Sequence, residues 1–198
     1  MRKAVLITVL VGIITGWAGE RRVTVCLPAN PEIRFTAVVA AEGVAAEIYR
    51  NIGIELRWQS QCRAAQLDAP ASQAFPNLVM LGMRWVERAP ATTTPLAIAA
   101  ATPFQYTGTR IVLFTDRVRD TLRQDDFIGV AVLGHVLAHE IGHVLLGNDE
   151  HADGGIMKAY WSASDKTGMR HRPLRFTNNE ADMMRRRFDC QGAVIAAR

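Results

Sequence analysis

Gly134-His135-Val136-Leu137-Ala138-His139-Glu140-Ile141-Gly142-His143-Val144-Leu145-Leu146-Gly147 is the run from which the rest of the chain is read. Four of the five histidines fall between His135 and His151. Apart from its histidines and Glu140, the stretch after Asp126 as far as Leu146 is apolar and free of proline, which predicts a buried helix. Four residues along a helix advance about 6 Å and turn about 40° past a full circle. His139 and His143 therefore face the same way and can share one cation. Glu140 lies about 100° round from His139, beside that cation rather than on it.

Buried histidines are often satisfied core groups. Here, however, two imidazoles and a carboxylate share one apolar helix, and an unpaired buried carboxylate costs several kcal/mol. A metal accounts for all three. His139-Glu140-x-x-His143 is the zinc metallopeptidase pattern H-E-x-x-H, in which the glutamate is the general base. His135, one turn earlier, is expected to be a core or supporting group, because a third ligand from the same helix would lie too far along the axis.

With 198 residues, 49% of them hydrophobic, the chain suits one domain with a sizeable core, expected over residues 19–198. Arg2 and Lys3 precede the apolar run Ala4 to Ile14, and Gly16-Trp17-Ala18 supplies small residues for cleavage. Residues 1–18 are thus expected to be a signal peptide, and the mature chain secreted or periplasmic, with no lasting membrane insertion. Losing Arg2 and Lys3 lowers the formal net charge from +4 to +2, which is no nucleic-acid pattern. Arg170 to Arg175 and Arg185-Arg186-Arg187 are locally basic, as solvated faces often are. Cys26, Cys62 and Cys190 allow one disulfide, and the pairing stays open. A monomer is expected.

Arg22 to Leu27 alternates as a strand, Phe35 to Asn51 has helical spacing, and Ile54 to Trp58 alternates again, an order that favours a right-handed parallel crossover. Asn77 to Met83 is a third strand, Leu96 to Ala101 a fourth and Arg110 to Phe114 a fifth that runs on into Val118. Gln59 to Pro76 and Arg84 to Thr94 are expected to be loops. Asp125 or Asp126 is placed to cap the histidine helix and Gly147 to stop it in a left-handed conformation. A last helix starts at Thr177 and reaches Phe188.

A catalytic zinc keeps three protein ligands and one open position. His151, Asp149 and Glu180 are the candidates for the third. His151 is a nitrogen donor on a chain that Gly147 can turn back, and Asp149 is its oxygen-donor rival. Glu180 has another explanation, since Thr177-x-x-Glu180 before an apolar run is a capping box. His151 is the ligand expected. His171, among arginines, is read as a surface residue, and Asp153 as a turn residue.

These residues resemble the metzincin-type zinc peptidases. The resemblance rests on His139-Glu140-x-x-His143, a glycine after the helix, a further His, and Gly155-Ile156-Met157, which is similar to their Met-turn. It is closer still to small secreted bacterial proteins in which such a helix precedes a Gly-Ile-Met-x-Ala-x-Trp segment, here Gly155 to Trp161. The spacing departs from the usual pattern, which places the glycine three and the last ligand six residues after the second His. Here Gly147 is four on, Asp149 six on and His151 eight on.

The resemblance implies an α/β (α+β) zincin-like fold, a twisted mixed sheet with an antiparallel edge strand, an active-site helix and a C-terminal helix. It implies Zn2+ on His139, His143 and His151, Glu140 as catalytic base, Met157 as a floor beneath the ligands, and a peptide or protein substrate beside the edge strand. Tyr160 is weighed as an oxyanion donor and expected instead to pack in the core. The expected activity is zinc-dependent endopeptidase. The rival is a secreted, zinc-stabilised binding module that cuts nothing, which would need a fourth protein ligand, as when His151 and Asp149 both bind.

Overall fold

Strand β1 (Arg22–Cys26) carries Val23 and Val25 on one face and Thr24 and Cys26 on the other, and all four are buried. A strand covered on both faces belongs in the middle of a parallel sheet. The computed structural model, which describes residues 21–61, 78–94, 97–103, 111–124 and 126–196, places it there. The elements that follow are α1 (Phe35–Arg50), β2 (Glu55–Gln59), β3 (Leu78–Val86), β4 (Ala99–Ala101) and β5 (Ile111–Phe114). Four helices complete the order: α2 (Thr115–Gln124), α3 (Asp126–Leu146), α4 (Ala163–Met169) and α5 (Asn178–Ala196).

The sheet order is β2-β1-β3-β5-β4. β1 pairs in parallel with β2 and with the first half of β3, whose second half pairs in parallel with β5. β4 runs antiparallel to β5 and ends the sheet, so the mixed sheet with an antiparallel edge strand is found as expected.

Helix α1 buries Ala37, Ala41, Ala45, Ile48 and Tyr49, and its small residues allow close packing on α3. At the crossing, a Cβ on Gly134 would stand 2.5 Å from Val44 Cβ and 2.8 Å from the Ala41 carbonyl. Only hydrogen fits there. Tyr49, fully buried, donates its hydroxyl to the Ala138 carbonyl at 2.9 Å and fixes α1 against the turn of α3 that carries His139. By length and hydropathy Phe127–Leu146 could cross a membrane, but 89% of its most apolar window is buried, which makes it the core helix of this fold.

Several expectations need correction. β3 continues to Val86, because Arg84 to Val86 find a ladder on β5. Thr115 does not extend the fifth strand. It starts α2, whose Val118 and Leu122, one turn apart, are buried among polar neighbours. Ala163–Met169 forms a helix that the sequence reading missed, closed by a Ser162–Asp165 capping box. α5 runs past Phe188 to Ala196. Cys26 is disulfide-bonded, and the side chains of Cys62 and Cys190 lie outside the described residues, as do residues 1–20, Leu96 and Asp125.

Gly134→Ala is expected to push α1 from α3 and cost about 1–3 kcal/mol, as overpacking in a tight core does. Chemical denaturation checks this, and an unchanged midpoint would show that the crossing can yield.

Candidate metal centre

Successive turns of α3 each hold another segment of the chain through a histidine. His135 is fully buried; its Nδ1 lies 2.7 Å from the Ala131 carbonyl and its Nε2 accepts the Leu174 N–H at 2.9 Å. Both nitrogens are engaged, so His135 is a core group, as expected. His139 Nδ1 lies 2.8 Å from the Ile156 carbonyl, and His143 Nδ1 3.1 Å from the Asn148 carbonyl.

A carbonyl oxygen only accepts, so both Nδ1 atoms carry hydrogen. In the neutral rings both Nε2 atoms are then bare lone pairs, and they face each other at 3.0 Å. Two lone pairs held that close repel unless a cation lies between them. An Nδ1–H bound to a backbone carbonyl with Nε2 free is also how metal-ligating histidines are oriented.

The third ring comes from the loop after α3. Gly147 takes φ +72° and its N–H returns to the His143 carbonyl, ending the helix as expected. Gly155 also takes φ +72°, and a Cβ there would stand 2.5 Å from the Arg175 carbonyl, which accepts the Ile156 N–H at 3.0 Å. With Ala152 N–H bonded to the Met157 carbonyl, the loop folds back and puts the His151 ring 5.3 Å from His139 and 4.9 Å from His143, centroid to centroid. One nitrogen from each of His139, His143 and His151 falls in a group whose members all lie within 4.8 Å of one another. Among the described residues no other group of three or more such side chains is found.

Asp149 is exposed at the cleft and outside that group, although its charge acts on His143. Glu180 accepts the Thr177 N–H at 2.7 Å while its own N–H meets Thr177 Oγ1 at 3.3 Å, which is the capping box anticipated. Met157 is buried, its Sδ 2.8 Å from where a Cβ on Gly142 would lie. His171 and Asp153 are exposed.

Glu140 is 8% exposed, and burial pushes its carboxyl up to about 7 against the lowering effect of a backbone hydrogen bond from Ala101 in β4. Burial likewise lowers His139 to about 4 and lowers His143, keeping both rings neutral. A cleft of about 480 Å³ opens over these groups. Val132 and Val136, two turns and one turn before Glu140, form part of its wall with Ile98, and Trp161 closes another side. Tyr160 corrects the expectation of core packing. It is 58% exposed on the cleft rim with Lys166 over its ring, because Lys158 pairs with Asp165 and holds the segment at the surface. The motif alone assigns no role to Val132, Val136 or Trp161. The i, i+4 spacing of Val132, Val136 and Glu140 was the available sign.

No protein-family model matches the sequence, and no curated protein matches it. Solved structures do. An archaemetzincin from Methanopyrus kandleri is 12% identical, with 89% of this chain and 99% of that one covered at a TM-score of 0.49. A zinc-dependent peptidase from Methanocorpusculum labreanum (strain Z) is 14% identical, with 82% and 99% covered at a TM-score of 0.50. The fold class is thus the zincin-like one that the motif resemblance implied.

The raised Glu140 carboxyl has a measurable sign. Below about 4.5 it is protonated in the folded and unfolded chain alike, and its contribution to stability is fully present. As pH rises through about 7 that contribution is lost. With a chelator present, the wild type is expected to lose on the order of 3 kcal/mol relative to Glu140→Gln between pH 4.5 and pH 7.5. Denaturant titrations at both pH values measure it, and a constant difference would refute the environment described.

Proposed function

We propose that the protein is an exported zinc-dependent endopeptidase, with zinc on His139, His143 and His151 and Glu140 as general base. The observation that carries this reading is the pair of Nε2 lone pairs facing each other at 3.0 Å, each ring oriented by a backbone carbonyl. With Asp149 outside the group, three protein ligands remain, which suits a catalytic site rather than the four-ligand structural kind. Bound zinc would supply Lewis-acid activation of the attacking water and polarisation of the scissile carbonyl.

The chain's own residues perform the rest. Glu140, adjacent to His139 and facing the cleft, takes the proton from the attacking water and passes it to the leaving amine.

β4 offers the substrate a main-chain template. Phe114 N–H donates to the Ile98 carbonyl, so in the antiparallel ladder Ala99 and Ala101 direct their N–H and C=O groups away from β5. Glu140 occupies the Ala101 N–H. A peptide laid along this edge is held by its backbone rather than by a terminus, which favours cleavage at internal bonds. Export is supported by the basic-then-apolar N-terminal sequence and by the disulfide at Cys26.

Metal analysis with peptide hydrolysis tests the proposal. Wild type and Asp149→Ala are expected to hold one zinc, whereas His139→Ala, His143→Ala and His151→Ala lose it or bind it far more weakly. Glu140→Ala keeps the metal and loses about 10² to 10⁴ in rate. Full turnover in Glu140→Ala would exclude the mechanism, and zinc loss in Asp149→Ala alone would reassign the third ligand.

A further inference from the structure

A second cavity, sharing no residue with the metal cleft, lies at the carboxyl ends of β1, β2 and β3, beside the first turns of α1. Here the strand order turns back, β2 lying on one side of β1 and β3 on the other. Open α/β sheets receive ligands at such a place. The volume, about 150 Å³, is one that in an engineered apolar cavity accepts a benzene ring.

The lining is aromatic and aliphatic, with Trp58, Trp85, Phe35 and Val38 around a single carboxylate, Glu42. Two of the other polar side chains are engaged elsewhere. Trp85 Nε1 donates to the Pro28 carbonyl at 2.7 Å, whereas Trp58 Nε1 is buried without a hydrogen-bond partner. Asn30 donates to Thr115 Oγ1 and accepts the Glu32 N–H. Ser60 is exposed at the rim. Among the described residues Glu42 has neither an ion pair nor a hydrogen bond through its carboxylate. The cavity therefore offers electron-rich rings and one unpaired negative charge.

We infer that this cavity binds a small organic ammonium cation carrying alkyl groups, its charge paired with Glu42 and its methyl or methylene surface against Trp58, Trp85 and Phe35. Aromatic rings attract such cations through their quadrupole, most strongly when the cation is weakly hydrated, as quaternary ammonium is. A metal ion is a poorer fit, since hard cations take several oxygen ligands. A neutral apolar ligand would leave the carboxylate desolvated and unpaired. Desolvation already raises Glu42 to about 7, and a cation would relieve that strain.

The test titrates the full chain at pH 8.5 with choline and with its uncharged isostere 3,3-dimethylbutan-1-ol, following the probe methyl resonances by NMR. Choline is expected to bind roughly tenfold tighter or better. Glu42→Gln should abolish that preference while alcohol binding persists, and Trp58→Leu should weaken both probes, with circular dichroism confirming the fold of each variant. Equal binding of the two probes, or a choline preference that survives in Glu42→Gln, would overturn the inference, as would no binding of choline. Phosphatidylcholine vesicles separate the two sources of this chemistry. Sedimentation with vesicles that free choline reverses assigns a lipid headgroup, and choline binding without sedimentation assigns a free solute. None of these readouts depends on zinc or on hydrolysis, so the cavity and the peptidase stand or fall separately.

Discussion

Two imidazole nitrogens held lone pair to lone pair inside an apolar helix are the constraint on which this structure turns. Such an arrangement persists only if something orients both rings from behind and something positive belongs in front. The orienting groups are the carbonyls of Asn148 and Ile156, so the loop after α3 must double back on the helix it has just left. Gly147 and Gly155 supply the two left-handed turns. The far end of the loop rests on the Arg175 carbonyl, while His135 grips the neighbouring Leu174. Arg187 of α5 donates to the Val144 and Leu145 carbonyls and closes the end of α3 beside Gly147. The loop that carries His151 is thus held by Leu174, Arg175 and Arg187 as well as by its own turns.

The sheet contributes from the other side. β4 is three residues long and would be a weak edge alone. Arg117 of α2 donates to the carbonyls of Thr94 and Ala97 and secures the segment that enters β4. Glu140 then bonds the outward N–H of Ala101, joining the edge strand to the active helix. The cleft between them is thus bounded by groups that also belong to it.

What could be read from the sequence follows from how local each cause is. The histidine helix, the places of the strands along the chain, the stop at Gly147 and the Thr177–Glu180 box all depend on neighbours within about a turn. The helix Thr115–Gln124 was missed because two apolar residues on a polar stretch look like the tail of a strand. Trp85 and Val86 read as loop because their partner, β5, lies far along the chain. Tyr160 is exposed rather than packed in the core because the Lys158–Asp165 pair and the Ser162–Asp165 capping box hold its segment at the surface, a local cause that apolar patterning does not reveal. Periodicity assigned His135 to the core, but only the fold shows that Leu174 is its partner.

The buried groups around the centre also set its charge. Burial lowers His139 and raises Glu140, so in the metal-free protein each leans toward its uncharged form. Their pH dependences oppose each other. The histidine's penalty grows as pH falls from 6.5 toward about 4, and the glutamate's as pH rises from 4.5 toward about 7. A divalent cation arriving at the three nitrogens reverses the balance for the carboxyl alone, because a nearby positive charge favours its ionised form while ligation requires neutral imidazole. Metal uptake would then be coupled to proton release from Glu140. Glu140 stands on the same helix as His139 and His143, one position from His139, which would make that coupling direct.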